Sequence, residues 1–240
     1  MSALTACGGT DVGNGRSIKL ELQGYEDPAF NQAQSLTLES GVLIESLFVN
    51  VDRLSFEPAV NGSCDDRPEL DDVDLPGPVV ANLVGEGVLG GAPVLPEQDA
   101  SLCEFEFRYQ PLDLGVAPAG APAEMEGLSI RMTGERADGT TFVVESRLGE
   151  ELELEAREGS PFTVGEGTNA LLLSFEIGSW VEALTLDGLT GPAIIDEEQN
   201  QDRLERFEEA VKRSARLLRD DDDDGEVDID ERSEGAELAD

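Results

Sequence analysis

The sequence predicts an all-β protein, a β-sandwich of the immunoglobulin-like or prealbumin-like kind, followed by one C-terminal helix and an EF-hand-like loop. Three observations carry this. Hydrophobicity alternates with a period of two through residues 16–195. Clusters of Gly, Pro, Asn and Asp punctuate the alternating runs at short intervals. Beyond Pro192 the apolar spacing changes to three and four, and then gives way to a run of carboxylates.

Residues 1–15 read as a truncated signal sequence and a flexible tether. Leu4-Thr5-Ala6-Cys7 resembles the bacterial lipobox, in which small residues before a Cys fit a signal peptidase and the Cys receives lipid. Residues 8–15 are Gly-rich and polar, as a tether should be. A signal peptide also needs a basic start and an apolar stretch of about 7–15 residues. Only six residues precede Cys7, so the expectation is that the leader is cut short here.

Within 16–195 the strand candidates are 17–23, 36–44, 46–56, 78–84, 103–109, 125–134, 140–148, 151–155 and 168–177. Cys103-Glu104-Phe105-Glu106-Phe107-Arg108-Tyr109 and Glu151-Leu152-Glu153-Leu154-Glu155 alternate most strictly. Asp138-Gly139, between two such runs, is the strongest hairpin signal. The acidic, Pro-bearing stretch 62–76 reads as a surface loop. Residues 196–219 read as an amphipathic helix with Leu204, Phe207, Val211 and Leu218 on one face. Acidic residues fill its first half and basic ones its second, with Glu208–Lys212 and Glu209–Arg213 as i,i+4 pairs. Residues 232–240 read as an acidic tail.

Composition excludes several chemistries. The 240 residues hold 53 Asp+Glu, 16 Lys+Arg and no His, for a net charge of −37. Absent histidine removes Ser-His-Asp and Cys-His catalysis and every His-ligated metal. Nucleic acid is no partner for a chain with two lysines and this charge. Such a carboxylate excess suits a saline or calcium-rich exterior, where self-repulsion is screened. No run of 18 apolar residues exists, so no helix candidate spans a membrane. With Cys7 taken by lipid, Cys64 and Cys103 remain as an even pair that fits a disulfide in an oxidising compartment. That bridge would close a loop of about 40 residues and stabilise by roughly 4 kcal/mol.

The sharpest motif is 220–231, which fits the twelve-residue calcium loop. Asp220, Asp222 and Asp224 fall at positions 1, 3 and 5, and Gly225 supplies the turn at 6. Glu226 would give its carbonyl at 7, Asp228 would ligate directly or through water at 9, and Glu231 would close the site at 12. A run of Asp makes the first three matches cheap. Gly225 fixes the register, however, and Val227, Asp228 and Glu231 then match independently. The expected ion is Ca²⁺, bound weakly because no second loop pairs with this one. The loop resembles the Asp-rich calcium repeats of dockerins and thrombospondin.

Other motifs carry less. Gly85-Glu86-Gly87-Val88-Leu89-Gly90 has the spacing of a dinucleotide loop, but Pro93 and Pro96 follow where a helix should start. Asn61-Gly62-Ser63 is a formal glycosylation sequon. Trp180 reads as edge-of-core packing rather than a carbohydrate platform. Carboxylates are too abundant for any one pair to point to a glycosidase. Taken together, the lipobox Cys, the sandwich, Leu171-Leu172-Leu173-Ser174-Phe175-Glu176-Ile177-Gly178-Ser179-Trp180, the helix and the Asp-rich loop resemble secreted bacterial lipoproteins of unknown function. The resemblance implies a surface-exposed, non-enzymatic protein. The expectation is therefore a protein of the cell envelope, held to the membrane by lipid on Cys7, with a binding or structural role and an unknown protein or carbohydrate partner. A carboxylate glycoside hydrolase and a periplasmic small-ligand carrier are the alternatives; a cleft with convergent carboxylates would favour the first and a deep apolar pocket the second.

Overall fold

The computed structural model describes residues 17–25, 36–64, 72–85, 87–96, 100–164, 170–220 and 237–240. In chain order the strands are β1 (Ser17–Tyr25), β2 (Leu36–Thr37), β3 (Leu43–Pro58), β4 (Val73–Leu75), β5 (Val79–Asn82), β6 (Gly87–Val88), β7 (Val94–Pro96) and β8 (Ala100–Tyr109). There follow β9 (Ile130–Glu135), β10 (Thr141–Ser146), β11 (Glu151–Glu155), β12 (Phe162–Val164) and β13 (Ala170–Glu176). Helix α1 (Ile177–Leu184), β14 (Ala193–Ile195), α2 (Gln201–Val211), β15 (Ala215–Asp220) and β16 (Glu237–Ala239) complete the order.

The strands form two sheets, so the all-β expectation holds in its coarse form. The smaller has the order β16-β15-β13-β1-β7, and the larger is built around β11-β8-β3-β9-β10-β14. β3 is the hub. One flank pairs with β9 over its first half and with β8 over its second, while the other flank takes β2, β5 and β4. The handover sits at Asn50, between the last β9 pair at Val49 and the first β8 pair at Val51, and Arg53, with φ of 54°, then shifts the β8 register between Asp52 and Ser55. The Asp138-Gly139 hairpin joins β9 to β10 as predicted. Gly139 takes φ 79°, and Asp138 Oδ1 accepts from the Thr140 amide at 2.9 Å.

The two sheets share one core. A chain of aromatic contacts runs from Phe56 through Phe105, Phe107, Tyr109 and Phe175 to Trp180 and Phe207. It crosses from the large sheet to the small one where Phe107 meets Phe175 edge-on at 6.2 Å. β13 carries consecutive apolar residues from Ala170 to Leu173 because both its faces are covered. Leu171, Leu173 and Phe175 enter the main core, while Leu172 packs with Tyr25 and Leu218 on the other side.

Four expectations change. The predicted helix over 196–219 ends at Val211, and Ala215–Asp220 is a strand antiparallel to β13. The switch is at Ser214. Its buried hydroxyl accepts from the Trp180 indole at 2.6 Å and donates to the Val211 carbonyl at 2.9 Å, turning the chain after the last helical residue. A second helix, α1, begins at Ile177, the last residue of a predicted strand, and was not predicted; Ile177, Trp180, Val181 and Leu184 are its buried face, at helical spacing. Residues 232–240 are not all tail, since β16 pairs with β15 and buries Leu238 and Ala239. Finally, β4 lies inside the stretch expected to be loop and pairs with β3. The helix pairs also rearrange. Glu209–Arg213 forms at 3.3 Å, but Glu208 accepts from Ser146 Oγ at 2.6 Å and Lys212 reaches Glu150 at 2.6 Å instead. Those two contacts fasten α2 and the residue after it to the large sheet.

Candidate functional site

Cys64 and Cys103 are bridged, with Cα atoms 5.4 Å apart. Cys103 lies in β8, and the bridge ties the chain just after β3 to that strand, as the parity of Cys103 with Phe105 and Phe107 suggested. Cys7 lies outside the described residues. So do Asp222, Asp224, Glu226, Asp228 and Glu231 of the expected calcium loop. Asp220 is the last residue of β15, opposite Ala170 in β13.

The described strands on either side change the frame of that loop. An EF-hand enters from a helix; here the entry is β15 and the exit is β16, antiparallel neighbours joined at Leu217–Ala239 and Leu218–Glu237. Arg216 and Glu237 add an ion pair at 2.5 Å across the same two strands. β16 also reaches the large sheet, through a bridge between Ala239 and Ala156 and a hydrogen bond from the Asp240 amide to the Glu155 carbonyl at 3.3 Å. Lys19 of β1, Ala170 and Asp220 form one cross-strand row. The chain before β1, which carries Cys7, therefore joins the small sheet at the same end as residues 221–236.

A carboxylate group that sequence reasoning did not single out lies on the outer face of the large sheet. Antiparallel pairing sets Glu153 opposite Glu106 and Glu155 opposite Glu104, and β3 adds Glu57 beside Glu104 and Ser55 beside Glu106. Glu104, Glu106 and Glu153 bring carboxylate oxygens within 4.8 Å of one another. Glu104 is only 2% exposed, and Ser55 Oγ donates to Glu106 at 3.4 Å. Like charges directly opposite in a sheet repel. Next to them Arg108 is paired in register with both Asp52 and Glu151, and Arg53 reaches Glu151 at 3.6 Å. With one oxygen from each, these three carboxylates would give a hard cation three of the six to eight oxygens that calcium takes. The signal was present in the two strictly alternating runs, but only their register places Glu opposite Glu.

A cleft of about 690 Å³ lies between the β2–β3 turn, the β9–β10 turn and α1, lined among others by Leu38, Val42, Arg136, Glu182, Leu186 and Asp187. Arg136 is committed there, donating to the Leu189 and Gly191 carbonyls at 2.7 and 2.9 Å. The carboxylates of this cleft are half-buried at Glu176 and exposed at Glu182 and Asp187. Between the sheets the aromatic chain fills the space where a carrier would hold its ligand. No known protein family matches the chain, nor does any curated protein or any solved structure.

Proposed function

We propose that this chain is a lipid-anchored protein of the cell envelope, a β-sandwich of the immunoglobulin-like or prealbumin-like kind that binds Ca²⁺ through residues 220–231 and acts as a non-catalytic binding or structural module. One observation carries most weight. The strand that leads into the Asp-rich segment pairs with the strand that follows it, Leu218 opposite Glu237, so the chain enters and leaves residues 221–236 side by side. Asp220, Asp222, Asp224, Asp228 and Glu231 would supply side-chain oxygens and Glu226 its carbonyl. The Cys64–Cys103 bridge supports an oxidising compartment, in keeping with secretion. Lipid on Cys7 would anchor the chain through residues that join the small sheet at the same end as residues 221–236.

A calcium titration by calorimetry with thermal melts, on wild type and on Glu231→Gln, tests the metal reading. Wild type should bind with a dissociation constant near 10⁻⁴–10⁻³ M, and at tenfold excess over that value gain about 1.4 kcal/mol of stability. The variant should lose most of the binding, because a bidentate carboxylate becomes a neutral amide. Absence of saturable heat up to several millimolar calcium, or equal binding by the variant, defeats it. Mass spectrometry of the membrane fraction from the native host tests the anchor; an unmodified peptide containing Cys7 defeats that part alone.

A further inference from the structure

In a chain of charge −37, residues 75–85, 87–96 and 114–123 contain no charged side chain at all, with Glu86 as the one interruption between the first two. The structure brings these segments together. A Cβ built on Gly90 would lie 3.0 Å from Pro118 Cβ, and Pro118 joins Pro76, Pro78, Val88, Pro93 and Val94 around an uncharged groove of about 370 Å³. Four large apolar side chains stand exposed among the described residues, and three belong here: Val94 at 43%, Leu114 at 39% and Val116 at 64%. Leu114 and Val116 form a ridge that is held rather than loose. The Val116 amide donates to the Asp113 carbonyl, the Gly115 amide to Asp113 Oδ1 and the Leu114 amide to Glu126 Oε2, at 3.0, 2.8 and 2.8 Å.

We propose that this face is the contact by which two copies of the chain associate about a two-fold axis, the Leu114–Val116 ridge of each seated in the proline-lined groove of the other. Charge selects the face: the described residues that line this groove carry no charge, whereas two copies meeting over the carboxylate-rich surface would press like charges together. Shape selects the partner. Val116 stands two residues from Pro118 of the groove lining, so one copy carries both halves of an isologous contact, in which residue i meets j while j meets i. The eleven residues that line the groove, with Leu114 and Val116, would form the uncharged centre of a contact for which a stable interface takes roughly 20–30 residues a side. Asp113, Glu124 and Glu126 then lie at the rim, where water and salt screen them.

Sedimentation velocity on the full chain, from about 5 to 200 µM and from about 0.05 to 1 M NaCl, tests this. Wild type should dimerise, and more tightly as salt screens the net repulsion. Val116→Glu and Val94→Glu should each weaken the dimer at least about tenfold, because the two-fold axis places each new charge in the contact twice. Ile194→Glu, at the fourth exposed apolar side chain, should leave the dimer unchanged. All three positions are exposed, and circular dichroism checks that each variant folds. A monomer under every condition overturns the proposal, as does a dimer indifferent to Val116→Glu and Val94→Glu or equally sensitive to Ile194→Glu. Flotation of a monomeric wild type with phosphatidylcholine vesicles, lost in Val116→Glu, also overturns it, by showing that lipid and not a second copy covers the face.

Discussion

Tyr109 shows how a single side chain can tie pH to stability here. Its ring is fully buried between Phe107 and Phe175, and its hydroxyl has no hydrogen-bond partner. Burial pushes the phenol well above its ordinary value of 10.0. The folded chain thus keeps a proton that the unfolded chain gives up. The stability linked to this group is complete below pH 10 and falls as pH rises past it. Tyr109→Phe should leave the protein as stable or up to about 2 kcal/mol more stable at pH 7, since an unpaired buried hydroxyl is removed without leaving a cavity. Its advantage should widen above pH 10. Urea unfolding at both pH values measures this; a variant less stable by more than about 1 kcal/mol at pH 7 would mean the hydroxyl is paired, through water. Lys212 titrates in the same direction for a different reason. The hydrogen bond to Glu150, opposed by partial desolvation, raises its pKa above 10.5, so this contact too is complete at neutral pH and lost only in strong alkali.

At the scale of elements, the junction between α2 and β15 depends on Ser214. Ser214→Ala strips the buried Trp180 indole of its acceptor and should cost about 1–3 kcal/mol, with a change in the emission of this lone tryptophan as the readout. A loss under about 0.5 kcal/mol would show that the strand pairing of β15 sets the end of α2 unaided. The Cys64–Cys103 bridge spans 39 residues, and its removal should cost roughly 4 kcal/mol in the chain-entropy account. Melts of a Cys64→Ser, Cys103→Ser double variant in a Cys7→Ser background measure this without a confounding free thiol. An unchanged melting temperature would mean that β3 and β8 already hold those residues without the bridge. Much at this scale was legible in the amino acids. The β9–β10 hairpin followed from Asp138-Gly139, and the bridge from cysteine count and parity. Residues 215–220 were not legible, because Ala215 and Leu218 continue the helical stripe from Val211 while Leu217 and Leu218 also suit a strand buried on both faces. Pairing with β13 decides between them, and β13 lies some forty residues away in the chain.

For the whole molecule the dominant quantity is charge. The Glu57–Glu104–Glu155 row shows carboxylates stacked across neighbouring strands, and the rest of the −37 adds a diffuse repulsion. Raising NaCl from about 0.05 to 1 M shortens the screening length to about 3 Å and should raise the melting temperature steadily, with KCl acting alike. A flat response would show that local partners such as Arg108 and Arg53 already offset the repulsion.

By itself the amino-acid sequence determined the class, the absence of histidine chemistry, the acidic character and the even cysteine pair, because alternation, turn residues and composition are local or additive properties. It also located the Asp-rich motif by residue spacing. Tertiary structure alone decided what holds that motif, a strand on each side in place of a helix, and where the carboxylates of β8 meet those of β11. Both are matters of register between segments distant in the chain. Side-chain patterns specify which face of a strand turns inward, but not which strand will lie beside it; burial of the apolar face that neighbouring strands build together makes that choice.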